Sequence, residues 1–404
     1  MYFGNSTGIL EFDGQRWQLI ATPGNPMVRS LALASDGTIF YGSVGDFGYL
    51  SASSSGKISA VSLKDAIPKD EQIFNDVWQI ESTAQGIYFL TRSRIFRYYQ
   101  GKVTTLSGKF ASSQACVING VLFYVDMDKG ISLIDGDQIV PVPQLDGLAN
   151  GARLTLARSG EHEMLIGRMS GDFRLVNLEP LWDTASKKYL PARPANNLVQ
   201  AFPTELDGLL NENDAYLYKL MALTGDRFAI STIKAGVLIF DRNGKILQVI
   251  NRNVGLSDNT VAGIMKDRSN NLWATTNSGI SYIELSTPQT LFDTRNGIDG
   301  VTMSLAYHKG RLYVGGFQNI FVQQPFQYSL KDDTPKFMPL KQGPSEAWQF
   351  KEVKGELMAA SGRGLYRIEG ESATKIPKSS GNAYCLGYTS LWPDHLFVGL
   401  MGGV

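Results

Sequence analysis

Apolar residues in this chain gather into short runs, usually four long with an aromatic second and a small residue last, and the run recurs. It is read at Met1-Tyr2-Phe3-Gly4, Ile39-Phe40-Tyr41-Gly42, Ile87-Tyr88-Phe89-Leu90, Leu122-Phe123-Tyr124-Val125 and Met164-Leu165-Ile166-Gly167. Later copies are Phe228-Ala229-Ile230-Ser231, Leu272-Trp273-Ala274-Thr275, Leu312-Tyr313-Val314-Gly315, Leu357-Met358-Ala359-Ala360 and Leu396-Phe397-Val398-Gly399, with a mean spacing of about 44 residues. Most copies follow an apolar-rich run and a polar turn, such as Ser35-Asp36-Gly37. After most comes an alternating segment, such as Gly236-Val237-Leu238-Ile239-Phe240-Asp241, and then a weaker strand, such as Ile246 to Ile250. Alternation with period two and no helical period predicts four antiparallel strands per repeat.

A lone four-stranded sheet with two apolar faces needs a neighbour on each, and a repeat of this length satisfies that need as the blade of a β-propeller. The predicted fold is therefore all-β, with about nine blade repeats. Blades are expected at about 28–63, 77–108, 112–144, 152–208, 215–252, 260–295, 301–341 and 346–378, with partial blades at 1–21 and 382–404. The chain opens inside the second strand of a blade and stops where the third strand of another should begin. It therefore reads as a piece of a longer array of one or two rings. The widest spacing holds an insertion, Glu179 to Asn197, expected to be a solvated loop between the third and fourth strands of its blade.

Composition narrows the function classes. With 404 residues, 42 glycines, 43% hydrophobic and 19% charged residues, the chain is too apolar to be disordered. Its glycine share suits tight turns better than helices. Lys plus Arg and Asp plus Glu number 38 each, so no overall field draws nucleic acid, and no nucleic-acid partner is expected. Two cysteines, Cys116 and Cys385, make neither a disulfide framework nor a zinc site, and no cofactor or metal pattern is present. No run reaches the ~18 apolar residues of a membrane span, and no basic start with an apolar run marks a leader.

One repeat is distinctive. The segment Gly255-Leu256-Ser257-Asp258-Asn259, then Val261 to Met265, Asp267 to Asn271, Leu272-Trp273 and Gly279-Ile280 closely resembles the repeat of two-component regulator propellers. The pieces have physical roles: Asp267 and Asn270 can bond turn backbone, Trp273 can fill space between sheets, and Gly279 can turn the chain back into the sheet. Other repeats follow the pattern more loosely, as at Ser35 to Gly42 and Ser361 to Tyr366. The resemblance implies a periplasmic or otherwise extracytoplasmic input region, non-catalytic in itself, of a transmembrane signalling protein. It also implies a membrane-signalling module in the same polypeptide, and it admits a homodimer.

Candidate binding residues cluster where first strands begin, on the expected central mouth. Polar groups precede an aromatic at Asn75-Asp76-Val77-Trp78, Asp214-Ala215-Tyr216-Leu217-Tyr218, Ser345-Glu346-Ala347-Trp348 and Asn382-Ala383-Tyr384, and Arg29, Arg153 and Asn259 hold comparable places. The expected ligand-binding set is Arg29, Asn75, Asp76, Trp78, Arg153, Tyr216, Asn259, Glu346, Trp348, Asn382 and Tyr384. Such a set suits a small polar ligand with apolar faces, for instance a carbohydrate. The competing reading is that the aromatics pack between sheets and the polar groups cap strand ends.

Catalytic patterns are weaker. His162, His308 and His395 fall in or beside turns between first and second strands, on the face away from that mouth. Gly362-Arg363-Gly364 lacks the following helix of a phosphate loop, and Asp332-Asp333 reads as a charged loop. No catalytic residues are expected. One alternative is a propeller lyase resembling the streptogramin lyases, which needs a histidine and carboxylates converging on the mouth. Another is a protein-interaction scaffold.

Overall fold

A computed structural model describes residues 1–111, 114–149, 153–212, 215–285, 291–326, 334–379, 381–401 and 403. Asp214, Asp332 and Asp333 lie outside the described residues. The repeats form antiparallel sheets in which sequence neighbours pair, and the chain divides into two compact units, Met1–Leu285 and Ser286–Val404.

The first unit holds seven blade sheets among the described residues. The second sheet is representative, with strands Val28–Leu33, Ile39–Ser43, Phe47–Ala52 and Ile58–Ser62 in that order. The recurring apolar run is the second strand of most sheets. Gly86–Thr91 of the third sheet is buried at every position, because this strand is covered by sheets on both sides. Aromatic rings fill the space between sheets: Phe47 of the second sheet stands 4.4 Å from Phe89 and 4.9 Å from Phe96 of the third, centroid to centroid. Burying one such ring contributes roughly 1.5–3 kcal/mol, so each sheet is held chiefly by its neighbours.

The first sheet (Tyr2–Asn5, Gly8–Phe12, Trp17–Ile20) and the seventh (Val261–Lys266, Leu272–Thr276, Gly279–Ile283) have three described strands each. They meet through Trp273, whose ring lies 5.7 Å from Phe3 and 6.1 Å from Phe12, and this contact closes the ring. The turn before Trp273 behaves as its sequence implies. Asp267 accepts from the backbone N–H of Ser269 and Asn271 at 2.8 and 3.0 Å, and its other oxygen accepts from the Trp273 indole at 3.3 Å. Asn270 and Gly279 take the positive φ values, 62° and 128°, that the tight turns require.

The insertion departs from expectation. In place of a solvated loop, Trp182–Asp183 pairs with Lys188–Tyr189 as a small hairpin between the third and fourth strands of the fifth sheet. Tyr189 and Leu181 are buried, and Tyr189 packs on Phe123 and His162. Its apolar residues extend the core, which a loop reading based on length and prolines does not register. A short helix, Leu206–Glu212, was also not legible from strand periodicity; Leu206 and Leu210, one turn apart, are buried.

The second unit contains two four-stranded sheets, starting at Thr302–His308 and Gln349–Val353, and a pair, Ala383–Tyr388 with Leu396–Leu400. Among the described residues no helix is long and apolar enough to cross a membrane.

Candidate functional site: the axial cavity of the first unit

The innermost strands share an irregularity that sequence periodicity does not show. Pairing with the second strand slips between Val28 and Ser30, Val77 and Gln79, Leu217 and Lys219, and Val261 and Gly263. Each slip leaves one residue unpaired: Arg29, Trp78, Tyr218 and Ala262. A β-bulge bends the strand and re-aims the extra side chain. All four of these residues line one cavity of about 740 Å³. Strand residues of five sheets contribute to its wall, Asn5 among them, and Gln114 and Arg153 join it from just before the first strands of the fourth and fifth sheets, so the cavity lies on the axis of the ring.

The residue after the bulge often ties neighbouring sheets. The Ser30 hydroxyl donates to the Val77 carbonyl at 2.8 Å. The Gln79 amide donates to the Ala115 carbonyl at 3.0 Å and accepts from the Ala115 N–H at 2.8 Å. Gln114 makes the same two-way clamp on Leu220, at 2.7 and 2.9 Å. The wall is thereby fixed by bonds between sheets, and a site on such a frame is preorganised.

Arginine and aromatic groups are layered at the mouth. The guanidinium groups of Arg29 and Arg92 lie 5.1 and 5.3 Å from the Trp78 ring centroid. Arg29 is ion-paired with Asp76 at 2.6 Å, and Arg92 donates to the Phe110 carbonyl at 2.7 Å. Deeper in the cavity stand Glu81 and Lys219. Burial pushes the Glu81 carboxyl up from 4.5 to about 7, against the opposing effects of Gln79 and Lys219. Burial likewise pulls the Lys219 ammonium down from 10.5 to about 8, with Glu81 acting against it and Arg92 with it. Both charges are costly where they sit, because burial disfavours the charged form of each.

These shifts have a pH consequence. A carboxyl raised in the folded state contributes stability that is full below about 4.5 and is lost as pH rises through about 7. A lowered ammonium contributes stability present above 10.5 and lost as pH falls through about 8. Glu81→Gln is therefore expected to lose less stability than the parent between pH 5 and pH 8 in thermal unfolding. A variant whose unfolding temperature follows the parent's at every pH would contradict this placement of Glu81.

Of the residues expected from sequence, Arg29, Trp78 and Arg153 line the cavity, with Asp76 paired to Arg29. Tyr216 opens its strand two residues before the bulge and Tyr218 takes the cavity position. Asn259 instead accepts from the Arg252 N–H at 2.8 Å, as a cap, and Asn75 offers its carbonyl to Gly45. Glu346, Trp348, Asn382 and Tyr384 belong to the second unit. There Trp348 lies 5.3 Å from Tyr384, and Glu346 accepts from the Gly362 N–H at 2.9 Å, a strand-end cap. Gln79, Glu81, Arg92, Gln114 and Lys219 were missed. The available signal for Gln79, Glu81 and Lys219 was polar and charged residues inside otherwise half-buried strands, whereas Arg92 and Gln114 lie outside the strands.

The histidines lie elsewhere. His162 bonds the Tyr189 hydroxyl at 2.9 Å, and His308 bonds Glu352 of the second unit at 3.0 Å.

No family model matches the chain, and no curated protein matches it. Solved structures similar to it include the WD40 β-propeller domain of Doa1, 14% identical with a TM-score of 0.49 over 71% of this chain and 89% of that one. The extracellular domain of the putative hybrid two component system BT3049 from B. thetaiotaomicron is 15% identical, with a TM-score of 0.29, over 100% of this chain and 59% of that one. Virginiamycin B lyase from Staphylococcus aureus is 10% identical, with a TM-score of 0.34, over 86% of this chain and 92% of that one. The chain thus spans 59% of the BT3049 domain. The protein is a β-propeller on the strength of its own sheets, seven of them ringed about a polar axial cavity.

Proposed function

We propose that this chain is the ligand-sensing input region of a signal-transduction protein, non-catalytic in itself and placed outside the cytoplasm. The observation that carries the reading is the axial cavity, whose wall takes bulge-presented residues from several sheets and is clamped by amide and hydroxyl bonds between them. The repeat around Trp273 supplies the signalling context through its resemblance to two-component regulator propellers. A ligand signals only by favouring one arrangement of the protein over another, so the partners implied are a small polar ligand and an output module in the same polypeptide.

A second reading, a lyase, is favoured by one observation: Glu81 and Lys219 share the cavity with pKa values moved toward neutrality. Both readings are separated by a thermal-shift screen of small polar compounds followed by chemical analysis of each hit. Sensing predicts stabilisation of about 2.7 kcal/mol at a hundredfold excess over Kd, with the compound recovered unchanged. Steady conversion of a hit, abolished in Glu81→Gln, would overturn sensing in favour of the lyase.

A further inference from the structure

The cavity holds more positive than negative charge. Among the described residues, Arg29, Arg92, Arg153 and Lys219 line it, against the single carboxylate Glu81. Asp76 is engaged by Arg29 at the rim. The chain as a whole is neutral, so this excess is local to the cavity, unlike the broad basic face that a nucleic acid or a membrane requires.

The cations are also crowded. Arg92 comes from the turn after Gly86–Thr91 in the third sheet, and Arg153 precedes Leu154–Arg158 in the fifth. Burial and then the Arg153 charge act against the charged form of Arg92. Arg153 is exposed and makes no hydrogen bond or ion pair among the described residues. Arg92 is held in place by the Phe110 carbonyl and by the Trp78 and Phe110 rings, each 5.3 Å from its guanidinium. Guanidinium groups fixed in this way offer planar donor forks that match oxyanions in two-bond geometry.

Resting on the reading of this cavity as the ligand site, we infer that its ligand is a small molecule bearing two or more oxyanion groups, held by Arg92, Arg153 and Lys219. An anion placed among them would relieve the repulsion between Arg92 and Arg153. Trp78 and Tyr218 at the bulges would meet the ligand's carbon frame, and about 740 Å³ accommodates a molecule of several rings or a branched polyacid. Carboxylate, sulfate and phosphate share the required chemistry.

The test is calorimetric titration of the full chain with citrate, inorganic sulfate and inorganic phosphate at low ionic strength, beside the neutral sugar maltose. At least one anion is expected to bind saturably, to weaken with added sodium chloride, and to lose about tenfold or more in affinity in Arg153→Gln. Lys57→Gln, in an exposed turn of the second sheet, should leave binding unchanged. Lys219→Met provides a second variant should Arg153→Gln fail to fold, with the same loss expected. The anion that binds most tightly identifies the oxyanion class. Affinity should also fall as pH rises through about 8, where Lys219 gives up its proton, facing Glu81, Arg92 and the Tyr218 ring. Equal anion affinity in parent and variants would overturn the inference. Binding of maltose, or of a neutral hit from the thermal screen, with no anion binding would overturn the inference and leave the sensing reading standing. Absence of binding by every compound would overturn both.

Discussion

Gly48→Ala is expected to destabilise the first unit by about 3 kcal/mol or more in urea unfolding. A Cβ at Gly48 would lie 1.9 Å from the Val61 carbonyl oxygen and 2.9 Å from the Tyr41 ring. Gly48 pairs with Ser62 on the adjacent strand, so the clash is with backbone that cannot move without breaking the ladder of the second sheet. Tyr41 has no room either, since it is fully buried and its hydroxyl donates to the buried Asp46 carboxylate at 3.0 Å. Gly147→Ala is the matched control: a Cβ there would meet no atom within 4 Å, and a change within about 0.5 kcal/mol is expected. Similar stability for both variants would mean that the second, third and fourth strands of this sheet do not pack as described.

Trp273→Ala is expected to cost about 3 kcal/mol by removing the ring that joins the seventh sheet to the first. Phe3, buried at 5% exposure, would lose its partner at 5.7 Å, and the Asp267 carboxylate would lose the indole donor. The effect should be localised: hydrogen exchange is expected to speed up in Tyr2–Asn5 and Leu272–Thr276 before it does in the third and fourth sheets. Uniform loss of protection across the seven sheets would contradict closure through this contact.

Much of the architecture was legible because the second strand of most blades is covered on both faces and therefore reads as a continuous apolar run. Ile87 to Leu90 and Leu122 to Val125 are buried throughout. The turn chemistry around Asp267 and Gly279 was legible for a different reason, as each residue type answers a local backbone need. The site was legible only in part. A bulge is a property of pairing between strands, so the sequence points to the start of an inner strand but not to the residue that turns inward. Tyr216 stood in for Tyr218, and Asn259 for a position taken by Ala262. Repeats of one pattern also look alike wherever they fold. The Asp76-Val77-Trp78-Gln79 and Glu346-Ala347-Trp348-Gln349 segments are near copies, and Gln349 clamps Leu386 at 2.6 Å much as Gln79 clamps Ala115. They lie in different units, which no local pattern records. Glu81 and Lys219 escaped because their significance lies in facing one another across sheets three and six, far apart in sequence.

Hydrogen exchange of the full chain with and without the ligand that the thermal screen returns tests the central claim most directly. Slowed exchange is expected in Val28–Leu33, Val77–Thr83, Tyr216–Leu223 and Val261–Lys266, the inner strands whose bulges line the cavity. Protection confined to the second unit, around Trp348 and Tyr384, would contradict the assignment of the axial cavity as the binding site.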